Sequence, residues 1–170
     1  EALTKPNGIT RKDGALARMS ETTDVPSLAG QPEAFLTLQM VLFRERIRRV
    51  EPMAATMRGI RDAEVDALAR FHGALPPPSP EGPRMPSAPR GCALSVQYRC
   101  GVWHLPDDAR QNQLPRLAGQ REDDRLHAMR DDRASTRQGI DTFMQAVLYG
   151  LSARGLPDLA HRLAALPTGR

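Results

Sequence analysis

Pro26-Ser27-Leu28-Ala29-Gly30-Gln31 returns further along the chain as Pro115-Arg116-Leu117-Ala118-Gly119-Gln120. Each copy leads into a segment whose apolar residues recur at helical spacing, and a hexapeptide repeated ahead of the same kind of element marks an internal duplication. After the first copy, Pro32 suits a first helical position. Phe35, Leu38 and Leu42 share a face, and Arg44, Arg48 and Arg49 lie towards the end, where cations suit the helix dipole. After the second copy, Leu126 and Met129 hold matching places, while Asp124, Arg125 and Asp132 thin the apolar face.

Beyond a loop, the repeat resumes with a slightly larger offset. Met53 to Ile60 matches Met144 to Leu151, and each copy then enters a last helix ending in Ala74-Leu75-Pro76 or Ala165-Leu166-Pro167. In the first of these helices, Val65, Leu68 and Phe71 form the apolar face and Asp62 supplies an acidic N-terminus. In the second, Ser152 can cap, and Pro157 is tolerable only in the opening turn. Between the copies, residues 76–89 hold seven prolines in fourteen positions, which forbids a helix and favours a semi-rigid spacer. The expected organisation is all-α: a small helical domain at 1–75, a Pro-rich linker at 76–89, and a second small helical domain at 90–170. No stretch alternates as a strand would, so an α/β enzyme is not expected.

Aromatic residues make up 4% of the 170 positions, so cores must be built from Leu, Ala, Val and Met, or completed by something that is not protein. Halves of this size are marginal without a metal, disulfide or ligand. The net charge of +4 suits an anionic partner. Yet the arginines alternate with acids, as in Arg121-Glu122-Asp123-Asp124-Arg125, a pattern that reads as a solvated helix face; nucleic-acid binding is not expected. No run is long and apolar enough to cross a bilayer, and the opening residues do not read as a secretory leader.

Cys100-Gly101-Val102-Trp103-His104 stands just ahead of the second hexapeptide. With Cys at its fourth place this would be Cys-X-X-Cys-His, in which two thiols add to porphyrin vinyl groups and the adjacent His can coordinate iron. That stretch, followed in order by Pro115–Gln120, Arg121–Arg130 and Met144 ahead of Leu151-Ser152, resembles the second domain of tandem, diheme class I cytochromes c. The resemblance covers about residues 24–77 and 91–167.

It implies two cytochrome c-like domains, a haem c cofactor, transfer of electrons to redox partner proteins without catalytic turnover, and a periplasmic location. A membrane-bound oxidase or reductase would be one kind of partner. By matching positions, His104 and Met144 would be the axial ligands of the iron, Cys100 the remaining thioether anchor, and the Pro115 carbonyl the acceptor for the His104 ring N–H. Met53 stands at the matching place in the first half. Residues 1–71 there contain neither Cys nor His, and the place of the attachment motif reads Ile9-Thr10-Arg11-Lys12-Asp13-Gly14. One haem at most is therefore expected, held by a single thioether. The alternative is a haemless cytochrome-like module acting through protein–protein contact, with Met53 and Met144 as core side chains. Cys92 is read as a thiol rather than a disulfide partner, and His72, His127 and His161 have no motif context.

Overall fold

Pro32, extended at ψ 134°, delivers the chain into helix α1 (Glu33–Arg44), so it sits at the cap rather than inside the first turn. The computed structural model describes residues 25–79, 89–104, 113–137 and 143–166, and among these every regular element is a helix. Most of the linker and the Ile9–Gly14 stretch lie outside the described residues. In the first half, α1 is followed by a short helix α2 (Met53–Thr56) and by α3 (Asp62–Gly73), which packs against α1. In the second half come α4 (Pro89–Gln97), α5 (Cys100–Trp103), α6 (Glu122–Arg133), α7 (Phe143–Tyr149) and α8 (Gly155–Ala164). Helix α8 packs on both α4 and α6, and α7 packs on α6.

Each half encloses its own core. Leu36, Met40, Phe43, Met57, Val65 and Ala69 close the first; Leu117, Met129, Leu148, Leu151, Leu156, Leu159, Ala160 and Leu163 close the second. Pro157 falls in the first turn of α8 and the Gly155 N–H donates to Ser152 Oγ at 3.2 Å, as the sequence predicts. On α3, however, Phe71 is 51% exposed while Ala69 and His72 are buried, so the apolar face lies one residue further round than the Val65-Leu68-Phe71 spacing predicts. Helix α4 begins at Pro89, the last residue assigned to the linker. It carries no strong apolar stripe and seats itself by close approach: a Cβ on Gly91 would stand 2.3 Å from the Asp158 carbonyl oxygen of α8.

The larger correction concerns α6. Asp124, Arg125 and Asp132, which the sequence puts on the thinned apolar face of a charge-alternating segment read as solvated, are buried. Aligned on the hexapeptides, these positions correspond to Phe35, Leu36 and Phe43 of α1, of which Leu36 and Phe43 are buried core residues. Burial of charge at this density requires partners. Asp124 accepts from Arg125 Nη2 at 2.8 Å and Asp132 from Arg137 Nη1 at 3.0 Å. The buried Arg48 guanidinium of the first half also feels Asp124, Asp131 and Asp132. The inward side of α6 is thus mixed: Met129 packs in the second core, while Asp124 and Asp132 carry charge that the first half feels.

The duplicated hexapeptides themselves meet at the seam between the halves. Gln120 donates through Nε2 to the Ser27 carbonyl and accepts the Ser27 N–H at Oε1, both at 2.8 Å. Gln31 treats Arg116 identically: Nε2 donates to the Arg116 carbonyl at 3.0 Å, and Oε1 accepts the Arg116 N–H at 2.8 Å. The last residue of each hexapeptide therefore binds the backbone of the second residue of the other. Gly30 and Gly119, at φ +67° and +70°, make the turn that aims each glutamine. At Gly30 a side chain would also strike Pro77, 2.8 Å from the Cβ position.

Candidate functional site

Helix α5 is one turn long and starts from Arg99 in the left-handed region, at φ 52°. That abrupt entry places Cys100 at its first position, where the thiol packs against the second core. Burial pushes the Cys100 thiol above its ordinary pKa, so in the polypeptide alone it is a poor nucleophile.

His104 caps the far end of α5, its N–H bonded to the Cys100 carbonyl at 3.0 Å. Its ring Nδ1 lies 3.0 Å from the Pro115 carbonyl oxygen, the contact expected from the sequence. A carbonyl only accepts, so Nδ1 carries the proton and Nε2 is left with the lone pair in the neutral ring. Nε2 is shut away from solvent. The arrangement holds a donor nitrogen in one tautomer and one orientation, as a metal-binding histidine requires.

Met144 is the second residue of α7 rather than a loop residue, half-buried and packed on the core that Cys100 also touches. Cys100 and Met144 thus share one apolar surround, with His104 at the end of the helix that begins with Cys100. Met53 opens α2 in the matching place of the first half and packs on the first core. No histidine or cysteine precedes His72 in that half. The second half therefore carries a thiol, an oriented imidazole and a thioether, groups of the kind that hold an iron porphyrin, whereas the first carries only the thioether of Met53 at the matching place. Among the described residues no group of three or more His, Cys, Asp or Glu could hold a bare metal ion, and Cys92 and Cys100 form no disulfide.

The glutamine clamp is the part of the site that motif reading missed. The available signal was that both hexapeptides end in the same polar residue, a choice that an apolar repeat does not need. Of the histidines without motif context, His161 Nδ1 pairs with Glu122 at 2.8 Å and His127 with Asp131 at 3.3 Å. His72 is buried beside Phe71, with ring centroids 5.2 Å apart.

No protein-family model and no curated protein matches the chain. Solved structures do. Cytochrome c4 from Acidithiobacillus ferrooxidans superposes with a TM-score of 0.75 at 24% identity, over 86% of this chain and 91% of that one. Cytochrome c4 from Pseudomonas stutzeri gives 0.74 at 20% identity, over 86% and 87%. Thiosulfate dehydrogenase (TsdBA) from Marichromatium purpuratum gives 0.73 at 24% identity; the match covers 91% of this chain but 35% of that one. The fold is the tandem class I cytochrome c fold, as the repeat and the Cys100–Met144 order led us to expect.

Proposed function

We propose that the chain is a c-type electron carrier whose second half binds one haem between His104 and Met144, with Cys100 as a single thioether anchor. The observation that carries this reading is the 3.0 Å contact from His104 Nδ1 to the Pro115 carbonyl, which leaves Nε2 as the ligand atom. When bound, the iron would supply a one-electron ferrous–ferric couple. With His104 and Met144 both holding it, the group would serve electron transfer rather than substrate binding, and a thioether in an apolar surround favours the ferrous state and a higher potential. The chain's own residues orient the imidazole, present the thioether and exclude water.

The likeness to cytochrome c4 supports this reading. The partners would be acidic redox proteins, steered by the excess of positive charge and met outside the cytoplasm, where c-type haem is attached. No described helix is long and apolar enough to cross a membrane.

A second reading is favoured by the first half, whose residues 1–71 hold neither Cys nor His: a haemless module that keeps the helical scaffold and acts by contact with a partner protein. Intact mass and absorption spectrum, after expression with c-type maturation machinery and acid-acetone extraction, separate the two. A haem-sized mass that survives extraction and is lost in Cys100→Ser supports the carrier. An apoprotein mass with no haem band moves the function to the module.

A further inference from the structure

The peptide bond between Pro115 and Arg116 is engaged at both ends. Its carbonyl accepts from His104 Nδ1 at 3.0 Å, and its N–H donates to Gln31 Oε1 at 2.8 Å. A peptide unit is polarised as a whole: a hydrogen bond to its N–H strengthens the acceptor at its oxygen, and chains of such bonds reinforce one another. The segment is further held by Gln31 Nε2 on the Arg116 carbonyl and by Arg116 Nε on the Gly30 carbonyl, each at 3.0 Å. Gln31 is buried, with 4% of its surface exposed, so water does not compete for its amide.

We propose that Gln31, a residue of the half without haem ligands, is the positioning residue for His104, acting across the seam through the Pro115–Arg116 peptide. Its carbonyl oxygen draws on the Arg116 N–H, the Pro115 oxygen becomes a stronger acceptor, and the His104 Nδ1–H bond gains anionic character. A more electron-rich imidazole is a stronger donor at Nε2 and favours the oxidised state of a bound iron. The first half would then be retained because its hexapeptide tunes a ligand in the second. This inference rests on the proposed role of His104 as a ligand, but its geometry exists in the polypeptide alone.

The duplication supplies a control. Gln120 makes the mirror-image pair of bonds to Ser27, and the peptide it grips carries the Pro26 carbonyl, in a half that has no histidine at the matching place. Gln31→Leu and Gln120→Leu therefore both loosen the seam, but only the former breaks the path to His104. Gln31→Glu keeps the acceptor for the Arg116 N–H and loses the donor.

The test is the resonance of the His104 Nδ1–H proton in the full-length protein, read by NMR without haem. Gln31→Leu is expected to move it upfield, Gln120→Leu to leave it in place, and Gln31→Glu to leave it in place or move it downfield. Equal shifts in the two Leu variants, or none in Gln31→Leu, would overturn the inference. If haem loads, the potential should rise in Gln31→Leu and hold in Gln120→Leu. If haem does not load, the proton shift still decides whether Gln31 governs the ring, while the carrier reading fails separately.

Discussion

Arg48 and Arg137 hold the same place in the two halves, and each turns inward from a loop that leaves its helix by the same left-handed step. Arg46 and Ser135 make that step at φ 56° and 57°, and the N–H groups of Arg48 and Arg137 return to the carbonyls of the matching residues Leu42 and Asp131. The partners differ. Arg48 lies over the Phe43 ring, 4.8 Å from its centroid, whereas Arg137 donates to Asp132, which occupies the position of Phe43 in the second copy. Burial, followed by the charge of Arg137, lowers the Arg48 pKa to about 10, and Asp132 and Asp124 offset part of that.

Asp132 is therefore expected to be replaceable by the residue of the other copy. Asp132→Ala should cost about 2 kcal/mol in urea unfolding, since it strands a guanidinium that keeps some of its surface in water. Asp132→Phe should lose about 1 kcal/mol or less, because Arg137 can stack as Arg48 does. A larger loss in the Phe variant than in the Ala variant would refute the equivalence.

The two glutamines are expected to differ in cost. Gln120→Leu strips partners from both backbone groups of the buried Ser27, for about 3 kcal/mol. Gln31→Leu acts on Arg116, whose backbone is less enclosed, and should cost about half as much. Thermal unfolding of the two variants at one pH checks the order.

His72 stands where the second half has the core residue Leu163, and burial holds its pKa below the ordinary value of 6.5. Its folded-state pKa is depressed, so between that value and 6.5 the unfolded chain binds more protons, and stability falls as pH drops below 6.5. His72→Leu should remove that component. The variant's unfolding midpoint should fall less steeply with acid than that of the unaltered protein, and identical slopes would show that His72 does not contribute.

Gly91→Ala should destabilise the packing of α4 on α8. The added methyl would meet the Asp158 carbonyl oxygen at 2.3 Å and Arg162 Cβ at 3.0 Å, and forcing the helices apart costs about 1–3 kcal/mol. Near-normal unfolding of this variant would show that α4 can shift without loss.

The duplication and the helical class were legible because each rests on residues close in sequence or repeated in order, and the contact of His104 with Pro115 because the resemblance to class I cytochromes c implied it. The buried face of α6 was not. Asp124 and Asp132 are acceptable inside because Arg125 and Arg137 pair with them, and the charge of Arg48, from the other half, adds to the balance. Helix α4 stayed hidden for a related reason: its seat depends on what Gly91 lacks, and a missing side chain leaves no periodic trace. The exchange of Phe71 for His72 turns on one residue of helical phase, about a quarter turn, finer than three apolar positions can resolve.

Because Gln31 grips Arg116 just as Gln120 grips Ser27, the contact between the halves is self-complementary, the kind that two identical subunits would form about a two-fold axis. Carried on one chain, the two surfaces meet at an effective concentration of the order of millimolar, which separate subunits would need a strong interface to match. A substitution that would dissociate a dimer costs the tandem chain only part of its local stability. That tolerance gives the two copies room to differ, one without histidine or cysteine through residue 71 and the other with charge along α6, while the joint between them holds.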